Sequence, residues 1–167
     1  RGLSRSHPAV ASRKENSVAK KQKPAPGLME LIKHTCVLRD ESDRGCALIA
    51  AAWIDDTLKE LIRSQFIDDR AAADEMLEGD SPLATFSART KLLCCTGIIS
   101  KKVMHDLDII RAIRNLFAHD RGKLSFETPE VRDRCASFSL IHEVKSLKTV
   151  MKDEPRDKYT SLSMWLV

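Results

Sequence analysis

The sequence predicts an all-α protein. Apolar residues recur at helical spacing from Leu28 onward, typical N-cap residues and glycines separate the apolar runs, and no alternating strand pattern is sustained. The stretch LSF at 124–126 is the only short strand candidate. Of the 167 residues, 43% are hydrophobic and 31% are charged, which is enough apolar content for one core. We therefore expect one helical bundle of about five to six helices.

The first half of the chain contains three predicted helices. The stretch LMELIKHTCVLRD at 28–40 forms the first. Ser42 precedes a long apolar run, and its hydroxyl can accept a hydrogen bond from a free backbone N–H, so we expect it to cap a second helix that continues to Phe66. A short helix over 71–77 then leads to the breaker GDSP.

The helix-breaking segment GDSP predicts the start of a fourth helix. Ser81 is its candidate N-cap, and Pro82 suits the first helical position because proline lacks the N–H that would be unpaired there. The helix LATFSARTKLLCC over 83–95 is expected to stop at Gly97, as a glycine just after a helix commonly does.

Two further helices complete the predicted bundle. Ser100 is expected to cap a helix over 101–119, with Gly122 in the turn beyond it. Thr128 as N-cap and Pro129 at the first position open another helix through Cys135.

Residues 1–27 form a segment distinct from the helical domain at 28–167. They carry seven Lys or Arg against Glu15, a net charge of about +6, so the domain holds about −2 of the total of +4. The segment is rich in Ser, Ala and Pro, and we predict a disordered basic tail, a solvated leader rather than a nucleic-acid arm. At the other end we interpret SMWLV as the start of a helix that the sequence cuts short.

Several classes of protein are excluded by what the sequence contains. Its five cysteines form no C-x-x-C pair, and we expect reduced thiols. Neither His105 with Asp108 nor His34 with Cys36 has further ligands at a recognised spacing, so we predict no metal site and no cofactor. No apolar run approaches the roughly 18 residues of a spanning helix, and no signal-peptide pattern is present, so we predict a cytoplasmic protein without membrane contact.

The helix that ends in RNLFAHD carries a charge on its apolar side. On a helical wheel centred on Ile110, Phe117 lies within roughly 60° and Arg114 at roughly 40°. An arginine there either extends to the edge of the core or requires a buried carboxylate. Asp55 occupies a position on the apolar line of the second helix where leucine would be expected. We therefore predict an ion pair between Asp55 and Arg114.

These residues resemble two known groups of proteins. Arg114 and His119 form an R-x4-H pattern at the end of a long helix, which resembles the signature of the HEPN superfamily, where a polar residue such as Asn115 commonly follows the arginine. A wider stretch, from about Cys46 to Cys135, resembles the mannitol operon repressor (MltR-like) family. The matching segments are ALIAAAWIDDTLKELI, GDSPLATFSARTKLL, DLDIIRAIRNLFAHD and PEVRDRC. The resemblance implies an all-α, HEPN-like bundle.

The HEPN resemblance implies a metal-independent endoribonuclease. In such enzymes the arginine and histidine of two protomers meet at a dimer interface. Carried onto this chain, Arg114 would hold the scissile phosphate and His119 would act as acid or base in attack by the RNA 2′-hydroxyl. Asn115 and Arg111 would add phosphate contacts. His119 would have to leave a frayed helix end to join Arg114.

The mannitol repressor resemblance implies regulation without catalysis, which is the interpretation we favour. The sequence has no helix-turn-helix signature and no basic recognition helix, so direct DNA binding is not expected. A protein partner or RNA is the expected target, and a homodimer the expected state. In this interpretation Arg114 pairs with Asp55, and His119 caps the C-terminus of its helix, where a cation is favoured.

Overall fold

A computed structural model of the protein describes residues 28–66, 70–144 and 152–167. Within these ranges the all-α prediction is confirmed, since every regular element is a helix and the LSF stretch at 124–126 lies in a loop. Residues 1–27, where the basic tail is predicted, lie outside the described residues.

The described ranges contain eight helices, more than the five to six expected. They are α1 (Leu28–Asp40), α2 (Asp43–Arg63), α3 (Arg70–Leu77), α4 (Phe86–Cys95), α5 (Lys101–His119), α6 (Pro129–Ala136), α7 (Leu140–Glu143) and α8 (Pro155–Leu166). In the part of the chain that the structure covers, no helix combines the length and the apolar content needed to cross a bilayer.

The core forms around α2, which packs against α5, α8 and α4. Of the apolar line predicted for the second helix, Ala51, Leu58 and Ile62 are buried, whereas Leu48 and Phe66 are half-buried. The facing side of α5 buries Ile110 and Phe117. The rings of Phe117, Phe126 and Tyr159 pack in series with tilted planes, and their centroids are 5.1 and 5.2 Å apart. This aromatic series joins α5, the loop before α6 and α8 into one core.

The start of α2, the end of α4 and both ends of α5 follow the sequence prediction, whereas α2 ends at Arg63 rather than at Phe66. The hydroxyl of Ser42 accepts a hydrogen bond from the N–H of Gly45 at 3.0 Å, and Ser100 accepts one from Val103 at 3.2 Å. Gly97 lies just beyond α4 with φ of 74°, and its N–H donates to the Cys94 carbonyl at 3.0 Å. These caps are confirmed because each depends on residues close together in the sequence.

The predicted start of α4 is wrong. The helix begins at Phe86 rather than at Pro82, and Thr85 is its N-cap, accepting from the N–H of Ala88 at 3.2 Å. Ser81 instead donates at 2.6 Å to the Met76 carbonyl at the end of α3, which also accepts from the N–H of Leu83 at 3.1 Å. The serine therefore ends one helix and leaves the next to start one turn later.

The second half of the fold also contains elements that the sequence did not predict. Asp106 is fully buried on α5, and its carboxylate accepts hydrogen bonds from the N–H groups of Ser139 and Leu140, at the start of α7. The stretch SMWLV, interpreted as the start of a helix, belongs to the last turns of α8. Tyr159 of α8 is fully buried and donates to the Ala47 carbonyl at 3.0 Å.

Candidate functional site: a cleft between α2, α4 and α5

The cleft that carries the predicted site residues has a volume of about 520 Å³. It runs between α2 and α5 and is closed at one side by the start of α4. Leu48, Ala51 and Phe86 supply an apolar part of the wall. Its polar wall combines the two aspartates and the lysine of α2 with the two arginines and the asparagine of α5.

The ion pair predicted between Asp55 and Arg114 is wrong. Asp55 pairs with Arg89 of α4 at 2.5 Å and lies 3.6 Å from the Nζ atom of Lys59. The side chain of Arg89 is only 3% exposed, so its charge cannot be solvated and requires a carboxylate, whereas water can solvate the exposed Arg114. Burial of Arg89 therefore decides which arginine Asp55 binds.

Arg89 also bonds the backbone around the cleft. One of its terminal nitrogens donates to the carbonyls of Leu77 at 2.8 Å and Ala84 at 2.7 Å. These two carbonyls lie at the end of α3 and just before α4. Sequence reasoning missed Arg89, because the apolar residues of α4 form no clear stripe against which a misplaced charge would stand out.

Arg114 is exposed in the cleft. Its Nη1 atom donates to Oδ1 of Asn115 at 3.0 Å, and within the described ranges it forms no ion pair. Arg114 therefore needs no buried carboxylate. Its aliphatic part packs beside the apolar stripe and its guanidinium extends to solvent, which was the other option for an arginine at this position. Because Asn115 uses its oxygen for this bond, its NH₂ group remains a donor.

Arg111 lies one turn before Arg114 on the same side of α5. Its Nη2 atom is 3.3 Å from a carboxylate oxygen of Asp108. Its Nε atom is buried and has no hydrogen-bond acceptor in the described part of the protein. The cleft thus contains two adjacent guanidinium groups that retain unused donors.

His119 does not join these residues within one protomer. Helix α5 continues through His119 and lacks the frayed end that the endoribonuclease interpretation requires. Five helical residues place the His119 side chain about 140° from that of Arg114 around the axis. His119 is exposed and lies outside the lining of the cleft. The predicted cap by His119 is replaced by Arg44, which donates to the carbonyls of Ala118 at 3.3 Å and Asp120 at 3.1 Å. No local pattern marks Arg44, since this contact depends on the N-terminal end of α2 meeting the C-terminal end of α5.

Asp120 orders the turn that follows α5. One of its carboxylate oxygens accepts hydrogen bonds from the N–H groups of Gly122 and Lys123 at 2.7 Å and of Leu124 at 2.9 Å. These bonds, that of Leu124 foremost, hold the pKa of Asp120 below its ordinary value of 3.8. The Asp120 carboxylate thus stabilises the backbone conformation of this turn.

The described residues contain no group of three or more His, Cys, Asp or Glu side chains that could hold a metal ion. The cleft itself presents guanidinium, ammonium, amide, hydroxyl and carboxylate groups. They can bind an anion, donate and accept hydrogen bonds, and present charges of both signs to a partner.

Comparison with known proteins gives matches to one family. A family model described as "Mannitol repressor" matches residues 38–165. The mannitol operon repressors of Escherichia coli strain K12 and of E. coli O6:H1 are each 30% identical over 86 residues, which cover 52% of this chain and 43% of the relative. The chain thus spans less than half the length of the curated relatives that it matches.

A solved structure has a similar fold. It is described as the X-ray structure of the MtlR-HPr complex from Escherichia coli, and the matched chain superposes with a TM-score of 0.63 and 19% sequence identity. The alignment covers 80% of this chain and 93% of that one. At this identity the likeness supports the fold.

Proposed function

This chain belongs to the mannitol repressor family, and we propose that it is a cytoplasmic regulator that binds a protein partner rather than reading DNA directly. The solved relative is a complex of MtlR with HPr, and an HPr-type protein is the partner that we propose here. The proposal extends to control of a sugar-alcohol operon, as the name of the matched family suggests.

The mixed charge of the cleft is the observation that carries this proposal. Asp56 is 71% exposed at the rim and lies 3.2 Å from Lys59, opposite the exposed Arg114. Protein interfaces commonly match such alternating charges, which fix the register of the partner. Nucleic acid instead requires a surface of one positive sign, and residues 28–167 have a net charge of about −2.

The proposal is tested by reversing one rim charge and measuring the affinity for HPr from the same organism by calorimetry. Asp56→Arg should weaken binding at least about tenfold, because it places like charges together at the interface. Asp133→Arg on α6 is the matched control, since that side chain is 73% exposed and undergoes the same change of charge. Equal affinities of both variants would remove the cleft from the interface, and absence of HPr binding by folded wild-type protein would refute the proposed partner.

One observation favours a second candidate function, the metal-independent endoribonuclease of the HEPN type. Because Asp55 binds Arg89, the guanidinium of Arg114 is free to contact phosphate. His119 lies on another side of α5, so this candidate requires His119 from a second protomer. It therefore depends on the homodimer that we also propose, which sedimentation would test.

The two functions are separated by incubating the protein with single-stranded RNA in EDTA. An RNase of this type would leave cyclic phosphate ends, and His119→Ala would abolish cleavage. His105→Ala is the control, because it removes another exposed histidine of α5. Our primary proposal expects no cleavage by the wild-type protein or by either variant.

A further inference from the structure

We propose that the cleft between α2, α4 and α5 binds a small organic phosphate, with Arg111 and Arg114 holding the phosphoryl group and the opposite wall binding hydroxyl groups. This inference goes beyond the proposed function, since it concerns a small molecule and requires no partner.

The donors of α5 match a phosphoryl group. Arg111 and Arg114 lie three residues apart, so their side chains are neighbours on the helix surface. The Nε atom of Arg111 is a buried donor without an acceptor in the described residues, and Arg114 uses only one of its donors, toward Asn115. An oxyanion between the two guanidinium groups would accept hydrogen bonds from their terminal nitrogens and a further bond from the amide of Asn115.

The charges around the cleft leave one cation without a counter-ion. On α2, Asp56 pairs with Lys59, while Asp55 binds Arg89. On α5, Arg111 pairs with Asp108, and among the described cations that line the cleft only Arg114 has no carboxylate partner. The carboxylates of α2 are thus already neutralised by their own neighbours, and the uncompensated charge favours an anion at Arg114.

The size of the cleft indicates more than inorganic phosphate. Its volume of about 520 Å³ lies within the range of small-molecule sites and greatly exceeds that of one phosphate ion. Beyond the arginines the wall offers the hydroxyls of Thr85 and Ser87, the carboxylate of Asp56 and the apolar surface of Leu48. These groups suit a short carbon chain or ring that carries hydroxyl groups.

Calorimetry on the full chain in a phosphate-free buffer tests this inference. The ligands are glycerol 3-phosphate and glucose 6-phosphate, with glycerol, glucose and inorganic phosphate as comparisons. We expect at least one organic phosphate to bind and both uncharged counterparts to fail. We expect Arg114→Ala to raise the Kd at least about tenfold, because hydrogen bonds between charged groups are lost. Arg132→Ala on α6, where the side chain is 53% exposed, removes the same charge outside the cleft and should leave the Kd unchanged.

Three results would overturn the inference. The first is failure of both organic phosphates to bind to folded wild-type protein. The second is undiminished binding by Arg114→Ala, which would place the anion elsewhere. The third is equally tight binding of inorganic phosphate, which would exclude a role for the hydroxyl-binding wall. If no phosphate binds but Arg114→Ala weakens the affinity for HPr, the arginine is a partner contact; the inference then fails while the proposed function stands.

Discussion

Arg89 is the residue at which α2, α3 and α4 are joined. Its buried guanidinium binds one carboxylate and two backbone carbonyls, so the cost of removing the charge from water is offset by three acceptors. Removing the carboxylate alone would leave a buried cation without a counter-ion, which is far more costly than losing an exposed pair.

We predict that Asp55→Ala lowers the free energy of unfolding by about 3 kcal/mol or more, because Arg89 then loses its counter-ion. The neighbouring Asp56→Ala is the control, since that side chain is 71% exposed and should change stability by less than about 0.5 kcal/mol. Urea unfolding followed by circular dichroism measures both. Equal losses in the two variants would show that the Asp55–Arg89 pair is not structurally important.

At the scale of single residues, the sequence identified one member of the Asp55–Arg89 ion pair, the aspartate. Asp55 could be recognised as a misplaced charge because it interrupts a regular apolar line on α2. Its partner could not be identified, because that choice depends on which arginine is buried, and burial follows from the packing of three helices. Arg111, Arg114 and Asn115 do line one cleft, whereas His119 does not.

At the scale of helices, the ends are the best predicted features. Gly97 closes α4 with two hydrogen bonds, its own N–H to Cys94 and the N–H of Ile98 to Leu93, both at 3.0 Å. This arrangement needs a residue in the left-handed backbone conformation, which glycine adopts without a steric cost. Such signals are local, and the errors at Ser81 and His119 arose where a more distant acceptor or donor competed.

We predict that Gly97→Ala destabilises the protein by about 1–2 kcal/mol, because φ of 74° brings the new Cβ too close to the backbone. Gly97→Asn should cost less, since asparagine tolerates this conformation better. Thermal unfolding of both variants provides the measurement. The prediction would be wrong if alanine were tolerated as well as asparagine.

The turn after α5 should respond to pH. The backbone N–H bonds lower the pKa of Asp120, so its contribution to stability is present above the ordinary value of 3.8 and is lost as pH falls through the folded pKa. We therefore expect wild-type protein to be more stable than Asp120→Asn near pH 7 and to lose that advantage below about pH 4. Urea unfolding across this range tests the expectation. Asp133→Asn, which removes an exposed α6 aspartate bonded to Arg132, is the control.

At the scale of the whole molecule, the core separates the cysteines into accessible and protected groups. Cys36 and Cys95 are exposed, whereas Cys46 and Cys135 are buried. Burial raises the pKa of Cys135 to about 12, so very little of the reactive thiolate is present near neutral pH.

We predict that an alkylating reagent at pH 8 modifies Cys36 and Cys95 rapidly in the native protein and modifies Cys46 and Cys135 only after unfolding. Peptide mass spectrometry at successive times measures each thiol. Modification of Cys135 as fast as that of Cys95 would contradict the burial of α6 against α8.

The sequence predicted the correct fold class for the whole molecule but did not predict all of its helices. Helical periodicity identified the all-α fold and most helices before α7, because each long helix carries its own apolar stripe. The first part of α8 was missed, and SMWLV was interpreted as the start of a helix, since the sequence PRDKYTSLSMWL is largely polar at its start. The cleft could not be anticipated, because its walls belong to three helices that meet only in the folded chain.

Helix α8 has a consequence for the time at which the protein can fold. Arg156 donates to the Leu38 carbonyl at 2.9 Å and binds Asp43 at 2.9 Å, while Tyr159 reaches Ala47, so contacts between residues more than 100 positions apart close the core. A ribosome that has made only α1 to α7 therefore carries a nascent chain whose central helix still lacks one of its neighbours. Native packing has to await translation of α8, and until then the unfilled side of α2 is a surface that chaperones could recognise.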